Sequence, residues 1–296
     1  MSSEFRPQPQ PAPRYREVSI GHPPVAVTEE HGVLHMRSLE PLAELPARLL
    51  DRLVHWAQVR PEQTFIAARQ AGGDWRRVSY REMLDSVRAI AQGLLSYGLS
   101  AHKPLALLSG NDIEHLQVAL GAMYAGIPYC PVSPAYSLLS QDFAKLRHVC
   151  DLLQPGLVFV SDATAYQRAI EAVLPAETPL ISVRGQLPGR TQVSFASLLQ
   201  TLAGAQAEAA FNATGPDSIA KFLFTSGSTK LPKAVVTTQR MLCANQQMLL
   251  QTFPVFGEEP PVLVDWLPWN HTFGGSHNVG IVLYNGGTFY LDDGKP

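Results

Sequence analysis

The sequence predicts an α/β fold built around parallel strands, on three observations. Short apolar runs at 105–109, 129–132 and 157–161 lack the polar alternation of a half-exposed strand, so each is expected to be buried on both faces. Amphipathic helical patterns alternate with them, and that exchange closes into right-handed strand–helix–strand crossovers. The chain has 296 residues, 46% apolar and only 16% charged, which supplies a large core and excludes a disordered chain.

The elements follow in order. The opening MSSEFRPQPQPAPRYREV is polar and proline-rich and has no apolar signal-peptide core. Residues 1–40 are therefore expected to form a flexible extension. In 46–58, Leu49, Leu50, Leu53, Val54 and Ala57 share one helical stripe, and Pro61 ends it. A strand at 75–78 leads to Ser79, placed to N-cap a helix over 80–95, with Glu82 completing a capping box and Gly98 closing the end. Then come the strand 105–109, a helix over 113–124 ended by Gly126, the strand 129–132, a helix over 141–153, the strand 157–161 and a helix over 163–173. Polar and Ala/Gln-rich text between about 185 and 217 reads as a surface connection. Strands at 219–224 and 234–237 follow, and 283–291 reads as a helix end, an Asn-Gly-Gly turn and a strand.

Composition also narrows the partners. A net charge of −2 provides no broad basic surface for nucleic acid or anionic lipid. The most apolar stretch, LQVALGAMYAGIPYCPV, is broken by glycine and proline before the roughly 20 residues a bilayer span needs. Cys130, Cys150 and Cys243 make no CxxC or other short pair, which suits a reduced, cytoplasmic protein with buried thiols. No metal-ligand spacing is visible, and a small-molecule partner is the expectation.

Chemistry concentrates between the strands at 219–224 and 234–237, in the loop Thr225-Ser226-Gly227-Ser228-Thr229-Lys230-Leu231-Pro232-Lys233. Small residues let backbone N–H groups converge, hydroxyls surround them and Lys233 adds a mobile cation, a combination suited to polyphosphate. The spacing fits neither the GxxxxGK[ST] P-loop nor GxGxxG. Downstream, Trp266-Leu267-Pro268-Trp269-Asn270-His271-Thr272-Phe273-Gly274-Gly275 offers two aromatic residues, a histidine and glycines that permit close approach, the makings of an apolar slot with one adjustable polar group.

The order T-S-G-S-T-x-x-P-K resembles the phosphate loop of the adenylate-forming superfamily of acyl-CoA synthetases, luciferases and peptide-synthetase adenylation domains. The Leu-Pro…His…Gly block resembles that superfamily's next motif, beside its acyl pocket. Lys230 stands where the family usually has glycine and Ala234 where it often has another; the first substitution restricts loop φ. The wording Thr238-Gln239-Arg240-Met241-Leu242-Cys243-Ala244-Asn245-Gln246, LPWNHTFGG, His277-Asn278 and Tyr284-Asn285-Gly286-Gly287-Thr288-Phe289-Tyr290 is similar to the feruloyl-CoA synthase branch.

The resemblance implies ATP attack by a hydroxycinnamic acid carboxylate, giving an acyl-adenylate, and then transfer to CoA, with Mg2+ accompanying ATP. It places Thr225, Ser226, Gly227, Ser228, Thr229 and Lys233 on the ATP phosphates, and Trp269, Asn270, His271, Gly274 and Gly275 around the acid, with Lys233 and His271 in catalytic roles. Another aryl- or fatty-acyl-CoA synthetase, or an inactive nucleotide-binding remnant, remains an alternative. An amino-acid adenylation domain fits less well, because 270–275 offers no carboxylate for a substrate ammonium. The matched motifs stop before the family's later blocks and its small lid domain. Residues 41–296 are thus expected to be part of an AMP-binding N-terminal domain, and its oligomeric state is not fixed by sequence.

Overall fold

Strands with apolar side chains on both faces need two packing layers, and the computed structural model, which describes residues 15–70, 73–225 and 231–294, provides them. Strands β1 (Val25–Glu30) and β2 (Val33–Ser38) precede helix α1 (Leu50–Val59), strands β3 (Thr64–Arg69) and β4 (Trp75–Ser79), and helix α2 (Tyr80–Leu94). The alternating stretch is β5 (Leu105–Leu108), α3 (Ile113–Tyr124), β6 (Tyr129–Pro131), α4 (Ala135–Leu138), α5 (Ala144–Leu153), β7 (Leu157–Asp162), α6 (Ala163–Val173) and β8 (Leu180–Arg184). After it come β9 (Gln192–Ser194), α7 (Phe195–Leu199), α8 (Ala205–Ala213), β10 (Ile219–Thr225), β11 (Lys233–Thr238), α9 (Gln239–Thr252), α10 (Val255–Glu258), β12 (Val262–Asp265), α11 (Val279–Asn285) and β13 (Thr288–Leu291).

A seven-stranded sheet has the order β11-β10-β6-β5-β7-β8-β9, parallel throughout except for the β10–β11 hairpin. A four-stranded sheet has the order β12-β13-β3-β4, with β12, β13 and β3 parallel. The core records the two-sided burial directly. Leu105 and Leu107 of β5 join the cluster shared with α1, α2 and α3, while Ala106 and Leu108 join the cluster under α5 and α6. From β5 the chain steps first to β6 and then back across to β7, so the direction of winding reverses at β5. The carboxyl ends of strands beside such a reversal form the usual ligand crevice of open α/β sheets.

Local signals explain the element ends. Ser79 accepts from the Glu82 N–H at 3.2 Å, and the Glu82 carboxylate accepts from the Ser79 N–H at 2.7 Å, the expected capping box. Gly98 at φ 62° and Gly126 at φ 68° follow their helices in the left-handed region that glycine occupies freely.

Three expectations change. The helix expected from 141 begins at Ala144, because Ser140 and Asp142 side chains accept the Phe143 and Ala144 N–H groups and hold a turn, with Phe143 at φ 53°. The supposed surface connection between 185 and 217 contains β9, α7 and α8, which bury Phe195, Leu198, Ala207 and Phe211. Within the expected extension, 25–38 forms the antiparallel β1–β2 hairpin, while the Gly21 N–H donates to the Thr252 carbonyl and Arg16 pairs with Glu259.

Candidate active site

The hydroxyl-rich loop leaves the carboxyl end of β10 and returns into β11, where Thr225 sits opposite Lys233 in register. Because β10 lies parallel beside β6, this end shares an edge with the segments that follow β6 and β5. Ser226, Gly227, Ser228 and Thr229, assigned above to phosphate, lie outside the described residues, as does Lys230. The described shoulders are exposed: Thr225 makes a long 3.5 Å contact to the Lys233 carbonyl, and His148 of α5 fastens the returning strand through the Pro232 carbonyl at 2.9 Å.

The second motif lies where the carboxyl ends of both sheets meet. A cleft of about 450 Å3 is lined by Ser109, Asn111, Ser133, Trp266, Asn270 and His271, among others. Asn111, just after β5, shapes it from below: its Nδ2 donates to the Leu267 carbonyl at 2.8 Å and its Oδ1 accepts from the Trp269 N–H at 3.0 Å. Asp265, buried at the end of β12, accepts from the Leu267 N–H at 3.0 Å and from Asn278 Nδ2 at 2.9 Å. Together these bonds fix the Leu-Pro turn, so His271 and Asn270 face the cleft.

Trp269 turns the other way. It is only 3% exposed and packs edge-on against His115 at 5.4 Å and Phe289 at 6.1 Å, so it belongs to the core and not to a substrate wall. Trp266, 58% exposed, is the aromatic side chain on the cleft. Gly274 and Gly275 also act through packing. A Cβ at Gly275 would lie 2.1 Å from the Trp269 carbonyl oxygen, and one at Gly274 would lie 2.5 Å from that of Leu267. The glycines therefore let a π-helical turn, Phe273–Asn278, sit directly on the Leu-Pro turn.

On the other side of this turn opens an apolar slot of about 540 Å3, lined by Leu223 and Thr225 of β10, Val235 to Thr237 of β11, Met241, Leu242 and Asn245 of α9, and Thr272, Phe273, Ser276 and His277. Among the described residues that line it, none is Asp, Glu, Lys or Arg. Phe273 and His277 stack at 4.6 Å, and His277 Nδ1 meets Asn278 Oδ1 at 2.7 Å, which ties the imidazole through Asn278 to Asp265. Ser276 Oγ is buried and has no hydrogen-bond partner among the described residues. His271 borders the cleft and Thr272 the slot, so consecutive residues divide the two spaces, and Thr225 joins the slot to the hydroxyl-rich loop.

Sequence reasoning named His271, Asn270, Thr225 and Lys233: the first two line the cleft, Thr225 lines the slot, and exposed Lys233 lines neither but sits opposite Thr225 in the hairpin. It missed Asn111, Asp265, Phe273, Ser276 and His277, although the last three fall at i, i+3 and i+4, a spacing that shares one helical face. Beneath the turn, Lys221 of β10 is fully buried and its Nζ donates to the Gly275 carbonyl at 2.9 Å. Burial holds its pKa down to about 7. His115 is also buried, hydrogen-bonded through Nδ1 to Ser109 Oγ at 2.7 Å, and burial, reinforced by Lys221, lowers its pKa to about 3. No group of three or more His, Cys, Asp or Glu that would hold a metal occurs among the described residues, so no Mg2+ ligand is assigned.

An open α/β domain whose winding reverses at β5, with a cleft and a slot near the carboxyl ends of its strands, belongs to the class of α/β proteins built around a ligand crevice. The chain belongs to the AMP-binding enzyme family, whose model matches residues 53–296. It is similar to luciferin 4-monooxygenase of Photinus pyralis, 23% identical over 70% of this chain and 38% of that protein. Peroxisomal long chain acyl-CoA synthetase 7 of Arabidopsis thaliana is 29% identical over 83% of this chain and 37% of its own length. Among solved structures, fatty acyl-adenylate ligase from L. pneumophila, in complex with acyl adenylate and pyrophosphate, matches in fold with a TM-score of 0.62 and 19% identity, over 82% of this chain and 39% of that one. The chain thus spans well under half the length of these relatives. Among the described residues no helix is long and apolar enough to cross a membrane.

Proposed function

We propose that this chain carries the phosphate and acid subsites of an ATP-dependent acid–CoA ligase that activates an aromatic, feruloyl-type acid through an acyl-adenylate. The observation that carries the reading is Thr225, the last described residue before the hydroxyl-rich segment, which lines a slot whose described wall carries no Asp, Glu, Lys or Arg. A slot of that character accepts an uncharged organic tail and gives no partner to a substrate ammonium or to a second carboxylate. In this reading Lys233 and the loop amides neutralise the β- and γ-phosphates and offset charge on the departing pyrophosphate. The carboxylate attacks the α-phosphorus from the Thr225–His271 side. The new acyl–O–P bond forms as the bond to pyrophosphate breaks, and the CoA thiol then displaces AMP.

Within the slot, Phe273 and His277 present a stacked aromatic edge to the acid's ring. His271 borders the carboxylate end as a hydrogen-bonding group. Trp269 is left out of substrate contact and serves as the packed floor beneath that end. CoA and ATP·Mg2+ are co-substrates. Titration of ATP·Mg2+ and of ferulate into the chain and its Lys233→Ala variant tests the reading. Affinity for ATP should fall at least tenfold while that for ferulate holds; equal ATP affinity in the two proteins would refute the role of Lys233. Preference for a fatty acid over ferulate would favour the fatty-acyl alternative instead.

A further inference from the structure

The π-helical turn that walls the slot is held by two buried side chains from the elements on either side of the hydroxyl-rich hairpin. Lys221, on the strand that enters the loop, donates from Nζ to the Gly275 carbonyl at 2.9 Å. Gln246, on the helix that follows the returning strand, donates from Nε2 to the Ser276 carbonyl at 3.1 Å and to the His277 carbonyl at 3.3 Å. Three successive carbonyls of one turn therefore each accept from a buried side chain. The i→i+5 geometry of a π-turn is rare and widens the helix, so it persists only where surrounding groups support it. Both donors are enclosed, at 2% and 1% exposure. Gly280 makes room for one of them, since a Cβ there would lie 2.3 Å from Gln246 Nε2. Lys221 also lies 5.8 Å from the centroid of the Tyr129 ring, which faces its ammonium from β6.

A lysine in mid-strand and a glutamine in mid-helix are costly to bury unless their donors are used; here Lys221 Nζ and Gln246 Nε2 both donate to one short segment, while Gln246 Oε1 has no hydrogen-bond partner among the described residues. That segment carries Phe273, Ser276 and His277, the slot's inner wall. We infer that Lys221 and Gln246 are positioning residues that hold the π-turn in register with β10 and α9, so that the acid slot has its shape only when both donors are engaged. The inference rests on the reading of this slot as the acid subsite. It assigns neither residue to contact with the acid or the nucleotide.

The test uses the full 296-residue chain with Lys221→Met, which keeps length and removes the donor, and Gln246→Glu, which keeps shape and replaces the donor with an acceptor. Amide hydrogen exchange and titrations of ferulate and ATP·Mg2+ are read on each. Amides of 273–279 should exchange at least tenfold faster in both variants while β10 and β11 stay protected. Ferulate affinity should fall at least tenfold, with ATP affinity within twofold of the parent; a general loss of structure would lower both. Unchanged protection of 273–279 in the folded variants, or equal weakening of ferulate and ATP, would overturn the inference. If Lys221→Met does not fold, Gln246→Glu decides. If the parent itself fails to bind ferulate, the acid-subsite reading falls, and exchange at 273–279 alone decides whether the two side chains hold the turn.

Discussion

Replacing Gly275 with alanine probes how the Leu-Pro turn and the π-turn are fitted together. The added Cβ would meet the Trp269 carbonyl oxygen at 2.1 Å, its carbon at 2.9 Å and the Trp269 Cα at 3.0 Å. All three are backbone atoms, and the first falls more than about 1 Å short of ordinary contact near 3.5 Å. No rotamer change relieves this, so one turn must move away from the other. The Trp269 N–H is bonded to Asn111 and the Gly275 carbonyl to Lys221, and either movement stretches a buried hydrogen bond. Overpacking of this kind costs about 1–3 kcal/mol. Urea unfolding of the variant beside Gly215→Ala, where nothing lies within 4 Å of the new Cβ, isolates the effect from glycine's backbone entropy. Equal stability of the two variants would refute the packing argument.

Asn111→Ala removes two hydrogen bonds to the Leu-Pro turn, and loss of about 1–3 kcal/mol is expected by the same unfolding assay, with slower loss of Trp269 burial excluded by an unchanged near-ultraviolet spectrum at low denaturant. The buried Lys221 makes stability depend on pH in a defined direction. Its pKa is about 7 when folded against an ordinary value of 10.5, so between these values the unfolded chain binds more protons and stability rises with pH; below about 7 the burial cost is fully present. Between pH 7 and 9 the parent should gain up to roughly 2.5 kcal/mol relative to Lys221→Met, and parallel pH profiles for the two proteins would contradict the assignment.

The alternating half of the fold was legible because its signals are local. Helix α3 ends before Gly126 as the sequence indicates, α6 spans the expected 163–173 between the Asp162 cap and Pro175, and β5 and β7 are apolar on both faces. The 185–217 region was not. A three-residue strand, a five-residue helix and an alanine-rich helix carry too little periodic contrast, and only the packing of Phe195 and Phe211 against the core reveals them. At the candidate site, sequence proposed the loop and His271 but could not tell Trp266 from Trp269, since the turn held by Asn111 and Asp265 decides which ring faces solvent. Lys221 reads in isolation as a polar interruption of an apolar strand. Its meaning depends on Gly275, 54 residues away.

Methyl NMR of the isoleucine-, leucine-, valine- and methionine-labelled chain during titration with ferulate, and separately with phenylalanine, tests the acid slot most directly. Ferulate should shift Leu223, Val235, Val236, Met241 and Leu242 together, leaving core methyls such as Leu105 and Val158 unmoved, while phenylalanine, whose ammonium finds no carboxylate in the slot, should shift none of them. Shifts confined to residues outside the slot, or a matching response to phenylalanine, would contradict the assignment of this site to an uncharged-tailed organic acid.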